Sequence, residues 1–285
     1  MTAVAAEPLT TGGGVYSRRH FPGQDLVVAV FMGIIGFVVG SAVVGATIAQ
    51  GLDYTSKSDQ NDVSFVLGCL FGVAAFLIGL GFLGHPLRRM LGHRVEHHEI
   101  DEGGIERYFR MCTDHKVVGI QYFFGVMFFF FVAGLNAMFM RTQLLFPTET
   151  VVSANQYISL VSLHGTMMMQ MMSAVIIGPI GNYFVPIMIG AKRMAFPRLE
   201  ALSFWLVPAA SLILLSSLAI GGFPTGWTGY ASLADQAKVG MDCYLLSFAL
   251  IAIALAIVGF NMVATIVTMR APGLTWGRLP IFVWA

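Results

Sequence analysis

The sequence predicts an all-α integral membrane protein: a polytopic bundle of six transmembrane helices with the start of a seventh. Of the 285 residues, 56% are hydrophobic and only 11% are charged, whereas soluble domains carry about 25% charged residues. Six apolar runs reach the roughly 20 residues that a helix needs to cross a bilayer, and polar segments separate them. The formal net charge of +1 provides no basic surface for nucleic acid.

The predicted helices fall into two groups joined by a polar segment. Residues 1–24 form a polar tail, residues 25–84 hold two apolar runs, and residues 85–116 are a linker of mixed charge. Four glycines in the first run predict a small face for close helix contact. Residues 117–285 hold the other runs. The predicted spans are residues 25–50, 63–84, 117–140, 157–190, 202–222 and 241–269, and residues 279–285 begin another apolar run.

The positive charges indicate how the bundle is oriented, because cytoplasmic loops carry an excess of lysine and arginine. With six spans, the tail and the segments 85–116, 191–201 and 270–278 lie on one side of the membrane. That side carries thirteen of the 16 lysines and arginines. The other side carries Lys57, Arg141 and Lys238. We therefore expect the N-terminus to be cytoplasmic.

The apolar runs contain few side chains that carry chemistry. The run from Tyr157 to Gly190 has no charged residue and a single histidine, His164, which the charge pattern places near the outer face. A polar group buried in hydrocarbon needs a partner. For an imidazole the candidates are a metal or heme iron, a carboxylate, or a backbone carbonyl on a neighbouring helix. The three cysteines lack CxxC spacing, so we expect buried apolar side chains rather than disulfides or zinc ligands.

From about Met111 onward the sequence resembles subunit I of the heme-copper oxidases, the terminal oxidases of respiration. Eight phrases occur in the order and spacing of that family: TDHKVVGIQY (113–122), MRTQLL (140–145), HGTMM (164–168), GNYFVPIMIGA (181–191), MAFPR (194–198), SFW (203–205), GWTGY (226–230) and MRAPGLTW with LPIFVWA (269–285). The resemblance implies that residues 117–285 form the N-terminal part of the oxidase core. Residues 25–84 would then be two additional helices, packed against the flank of that core or against another subunit.

The resemblance also implies a heme site near the outer face. His164 matches an axial ligand of the low-spin heme, of type a or b, and Gly165 leaves room for a macrocycle to approach the helix. Arg141 matches an arginine that hydrogen-bonds the edge of that heme. Trp227 matches a tryptophan close to the heme propionates. We expect the methionines at 167–172 to be packing residues rather than a copper site.

Other positions depart from the family pattern. The copper ligands, the high-spin heme ligand and the second low-spin ligand would all lie beyond Ala285, so this segment alone is not expected to reduce oxygen. The early stop of the last apolar run indicates a portion of a longer subunit, or a core that a second chain completes. On the proton route, Asn182 matches a channel asparagine. Arg193 stands where the family has an aspartate, however, and Glu200 where it has an asparagine. An arginine at the mouth of a channel would repel protons.

The sequence therefore predicts the heme-bearing part of a terminal oxidase subunit I in a bacterial or archaeal cell membrane. Electrons from cytochrome c or a quinol would pass through the heme at His164 to a heme–copper centre, coupled to proton translocation. Subunits of types II and III and membrane lipid would be its partners. Two alternatives stay open: a non-catalytic membrane scaffold or assembly subunit that kept the fold, and a transporter in which His164 is structural. Cytochrome c is favoured as the donor because the residues of one known quinol site are replaced by Val132, Asn136, Gln156 and Ser159.

Overall fold

The computed structural model describes residues 24–51, 57–83, 90, 104–145, 147, 151–235 and 239–285. Within these ranges every regular element is a helix, so the all-α prediction is confirmed. Two π-helical segments, Gly40–Gly45 and Ile176–Gly181, connect consecutive α-helices. The α-helices are α1 (Gln24–Val39), α2 (Ala46–Gly51), α3 (Lys57–Gly79), α4 (His115–Gln143), α5 (Ala154–Val175), α6 (Asn182–Met188), α7 (Pro197–Ser216), α8 (Ala231–Ala234), α9 (Val239–Thr268) and α10 (Ile281–Trp284).

By length and composition, five helical stretches of the described chain could cross a membrane. They correspond to the first, second, third, fifth and sixth predicted spans. The fourth predicted span is helical from Ala154 to Met188 through the second π-helical segment, but it is not among these five. The apolar run at 279–285 contains the short helix α10. The five stretches are Asp25–Gly45, Gln60–Gly79, His115–Gln143, Pro197–Ile220 and Val239–Thr268.

The helix ends differ from the ends of the apolar runs. α3 begins at Lys57, before the run that starts at residue 63, and ends at Gly79, before residue 84. α7 begins at Pro197, since proline is favoured in the first turn of a helix. Hydropathy therefore finds the apolar stretch, whereas the helix continues through polar residues beside it. The predicted tail up to residue 23 and residues 85–89 and 91–103 of the linker lie outside the described residues.

The first two spans pack on each other along the predicted glycine face. A Cβ atom added at Gly36 would lie 2.5 Å from Cβ of Ala75. One added at Gly40 would lie 2.6 Å from Cβ of Phe71. Real side chains do not approach so closely, so only glycine permits this contact between the two helices.

This hairpin packs against the flank of the other helices. The rings of Phe76 on α3 and Trp205 on α7 meet edge to face, with their centroids 5.9 Å apart. Ala29 and Leu80 are buried in the same hydrophobic core as residues of α4, α5, α7 and α9. The described residues of the first two spans therefore contact other helices of this chain.

The loop between α6 and α7 is held on α9. Oδ1 of Asn261 accepts a hydrogen bond from the backbone N–H of Phe196 at 2.8 Å, and Nδ2 of Asn261 donates to the carbonyl of Phe196 at 3.2 Å. The N–H of Ala271 donates to the carbonyl of Ile189 at 2.9 Å. The segments that follow α6 and α9 therefore meet at one end of the bundle, as the six-span topology requires.

Candidate functional site

His164 lies on α5 and contacts α4. Its Nδ1 is 2.8 Å from the backbone carbonyl oxygen of Ala133, and the side chain is partly buried. A carbonyl oxygen only accepts hydrogen bonds, so Nδ1 carries the proton. In the neutral imidazole, Nε2 then keeps its electron pair. One of the three expected partners, a backbone carbonyl, therefore satisfies one ring nitrogen and leaves the other able to bind a metal.

This arrangement is the one that metal-binding histidines usually adopt. Such histidines donate the second ring N–H to a carbonyl or a carboxylate, which fixes the tautomer and the orientation of the ring. Ala133 is fully buried and lies in the interior of α4, so the position of its carbonyl does not depend on a loop. The residues around His164 fit an axial ligand of a heme.

The loop that carries Trp227 is tied to α5, the helix of His164, and to α9. The N–H of Gly226 donates to Oγ of Ser162 on α5 at 2.9 Å. The hydroxyl of Tyr244 on α9 donates to the backbone carbonyl of Trp227 at 2.9 Å. Gly226 has a φ of +68°, a conformation that favours glycine. These contacts fix the backbone of Trp227, while its side chain is 48% exposed.

Gly165 is the point of contact between this loop and α5. A Cβ atom added at Gly165 would lie 3.3 Å from Cβ of Trp227 and 3.6 Å from its Cδ1. The family resemblance predicts that this glycine leaves room for a macrocycle. In the structure the group that approaches it is Trp227. Because it has no side chain, Gly165 allows Trp227 to lie directly against α5, one residue after His164 in the chain.

Arg141 lies at the same end of the bundle but farther along α4. It is in the last turn of that helix, and its side chain is exposed. It follows Ala133 by eight residues, which is about 12 Å along a helix axis. Among the described contacts, none joins Arg141 to His164 or to Trp227. The structure therefore places Trp227 against Gly165, the residue after His164, and places Arg141 about two turns of α4 beyond the carbonyl that His164 contacts.

Some of the sulfur-containing side chains pack in the core, whereas the side chains of Met171 and Met172 lie outside the described part of the chain. Met167 is fully buried in the hydrophobic core, and Met168 packs against that core, as expected. Met169 is exposed. All three cysteines are buried, as predicted, and none of them forms a disulfide.

A second polar region lies towards the other end of the bundle, where α4 and α7 begin. Asn182 is fully buried, and within the described residues neither its Oδ1 nor its Nδ2 has a hydrogen-bond partner. Glu200 is 1% exposed, and both of its carboxylate oxygens likewise lack a partner there. The hydroxyl of Tyr122 donates to Oγ of Ser203 at 2.8 Å, which joins α4 to α7. Sequence reasoning singled out Asn182 and Glu200 but missed this hydroxyl pair, although the phrases TDHKVVGIQY and SFW contain it.

The fold and composition define an integral membrane protein of the polytopic helical class. Comparison with known families makes the assignment specific. The family model described as cytochrome c and quinol oxidase polypeptide I matches residues 117–285. The chain belongs to this family, subunit I of the heme-copper oxidases, and the resemblance inferred from the sequence phrases is confirmed.

Individual relatives agree with this assignment. Cytochrome c oxidase subunit 1 of Thermostichus vulcanus is 40% identical over 180 residues, which are 62% of this chain and 33% of the relative. Cytochrome c oxidase subunit 1 of Bacillus subtilis is 41% identical over 174 residues, 60% of this chain and 28% of the relative. Heme-copper oxidase subunit I+III of Aeropyrum pernix is 36% identical over 178 residues, 61% of this chain and 22% of the relative. The matched part of the chain spans about a third or less of the length of these relatives.

Proposed function

We propose that this chain is the heme-bearing part of subunit I in a respiratory terminal oxidase. It would pass electrons from cytochrome c through a low-spin heme to an oxygen-reducing heme–copper centre, coupled to proton translocation. The observation that carries the proposal is the 2.8 Å hydrogen bond from His164 Nδ1 to the carbonyl of Ala133, because it leaves the electron pair of Nε2 available. Membership of the subunit I family supports it.

Each residue at the site has a distinct task in this proposal. His164 would present the Nε2 electron pair to the iron, and the Ala133 carbonyl would hold the ring in one plane and make Nε2 a better donor. A low-spin heme, when bound, supplies a one-electron redox centre. Trp227, with its backbone fixed by Tyr244, would border the heme propionates. Arg141 would donate a charge-assisted hydrogen bond to the heme edge.

The proposal extends to partners and orientation. Cytochrome c is the proposed donor because the quinol-site residue types are absent at Val132, Asn136, Gln156 and Ser159. Subunits of types II and III would complete the complex in a cell membrane. The copper ligands and the high-spin heme ligand would come from the rest of the core. The N-terminus would face the cytoplasm, which places His164 near the outer side.

The first experiment combines the intact mass of the purified complex with its reduced-minus-oxidised optical spectrum. We expect low- and high-spin heme bands, together with a polypeptide much heavier than 30.9 kDa or a second core chain. A complex without heme, and without a companion that carries the missing ligands, would contradict the oxidase function and favour the scaffold alternative.

A pair of variants then tests the role of His164. His164→Ala removes the proposed iron ligand, so the low-spin heme band should be lost. Val161→Ala is the matched control, because Val161 lies one turn away on the same helix and is 44% exposed. It should keep the full spectrum. Retention of the low-spin band in His164→Ala would refute the assignment of the ligand.

A further inference from the structure

The strongest feature outside the heme site is the carboxyl group of Glu200. Glu200 lies in the first turn of α7 and is 1% exposed. Both carboxylate oxygens lack a hydrogen-bond partner within the described residues. An ionised carboxylate that is buried without a partner is strongly unfavourable, whereas the neutral acid is tolerated far better.

The groups around Glu200 do not supply a counter-charge. The charged group that acts on it is Asp114, another acid, which caps the N-terminus of α4. Tyr122 is the titratable neighbour on α4 itself. Arg198, on α7 itself, is partly exposed and lies two residues away, on a different side of the helix. The beginning of a helix favours an anion, but the oxygens of Glu200 accept no hydrogen bond from it.

Polar side chains continue from Glu200 into the bundle. Oγ of Ser203 donates to the backbone carbonyl of Glu200 at 2.6 Å, and Tyr122 donates to Oγ of Ser203 at 2.8 Å. The ring of Tyr122 packs so closely on Gly178 that an added Cβ would lie 2.6 Å from it. Asn182 is about one turn beyond Gly178 and has an unpartnered, fully buried amide. These groups can donate and accept hydrogen bonds where α4, α6 and α7 meet.

The loop before α7 carries positive charge, which leaves Glu200 as the nearest acid that follows it along the chain. Lys192 and Arg193 are both exposed in that loop, and cations there repel protons rather than collect them. Glu200 is the first acid after that loop, and it lies inside the bundle. The group best suited to hold a proton is therefore Glu200 inside the bundle, rather than a residue of the exposed loop.

We propose that Glu200 is a proton-binding site that stays neutral at rest and exchanges its proton with water at the loop end of the bundle. It would release a proton towards Ser203, Tyr122 and Asn182 and then bind another from the loop side. No redox change accompanies this exchange. This inference rests on the proposed function in one respect only, namely that the released protons are consumed in oxygen reduction.

The test uses the full chain, purified in its complex and placed in lipid vesicles. Infrared spectra should show a protonated carboxyl C=O band at neutral pH that shifts on transfer to heavy water. Glu200→Gln should abolish that band. Glu106→Gln is the control, because it removes a partly exposed carboxyl near the same end and should leave the band unchanged.

Two results would overturn the proposal. If Glu200→Gln removes no carboxyl band, the group is ionised. If the band does not respond to heavy water, the carboxyl is sealed and cannot exchange protons. Should Glu200→Gln fail to fold, Glu200→Asp keeps a carboxyl and must change the frequency of the band, and an unmoved band would refute the assignment.

The infrared measurement is independent of heme. Optical spectra of the same samples, together with His164→Ala, report on the proposed function. An exchanging Glu200 band in a chain that binds no heme would support the proton site and refute the oxidase function. A chain that binds heme but shows no exchanging Glu200 band would refute only the proton site.

Discussion

At the scale of single residues, Gly165 controls how closely the Trp227 loop approaches the helix that carries His164. A Cβ atom at this position would be 3.3 Å from Cβ of Trp227, so a larger side chain must displace the loop. We predict that Gly165→Leu lowers the free energy of unfolding by about 1–3 kcal/mol, the usual cost of overpacking. Thermal unfolding in detergent measures this loss, and tryptophan fluorescence reports the displacement of Trp227.

The matched control for this substitution is Gly259→Leu. Nothing lies within 4 Å of a Cβ atom added at Gly259, and leucine is favoured over glycine inside a helix by up to about 1 kcal/mol. This variant should therefore be as stable as the parent chain or more so. If Gly165→Leu behaves in the same way and its fluorescence does not change, the contact with Trp227 does not hold the loop.

His164 shows how far single residues can be read from a sequence. It could be singled out because it is the only histidine of a long apolar run and begins the phrase HGTMM. Its partner Ala133 could not, because every residue has a carbonyl. Which carbonyl meets the imidazole depends on how α4 and α5 are aligned. The approach of Trp227 likewise depends on a loop that turns at Gly226 with a positive φ.

At the scale of helices, the ring of Phe76 is a main contact between the N-terminal hairpin and the rest of the bundle. It meets Trp205 with centroids 5.9 Å apart. Because Phe76 is only partly buried, we predict that Phe76→Ala costs about 1–3 kcal/mol, less than the 3–5 kcal/mol of a fully buried phenylalanine. The midpoint of thermal unfolding should fall, and limited proteolysis should release the hairpin more readily.

Phe31→Ala is the control for this prediction. Phe31 belongs to the same hairpin but is 63% exposed, so its removal deletes little protein packing. Its unfolding midpoint should stay close to that of the parent chain. Equal losses for the two variants would mean that the hairpin is held by contacts other than the Phe76–Trp205 pair.

The helices themselves were largely predictable because apolar runs and glycine positions carry direct physical information. The glycines at 36 and 40 meet α3 as their spacing indicated. The start of α3 at Lys57 was not predictable from hydropathy, since polar residues outside the bilayer can continue a helix. The contact of the hairpin with α7 was left open as well, because two apolar faces carry no information about which neighbour each will cover.

At the scale of the whole molecule, the two polar regions lie towards opposite ends of the bundle. His164 and Trp227 lie towards the end where α4 finishes, and Glu200 lies at the end where α4 and α7 begin. The segments 191–201 and 270–278, which are rich in arginine and lysine, belong to the Glu200 end. If cations mark the cytoplasmic side, protons would enter from the cytoplasm and electrons from the outside.

This orientation can be tested with single cysteines at the two ends. Arg193→Cys and Tyr230→Cys each place a thiol at an exposed position. A thiol reagent that cannot cross membranes should label Tyr230→Cys in intact cells and Arg193→Cys only after permeabilisation. The parent chain is the control and should stay unlabelled, because its three cysteines are buried. The reverse labelling pattern would place His164 near the cytoplasmic face. In that case an electron donor on the outer side would have to act across the bilayer, which would refute the proposed route of electrons.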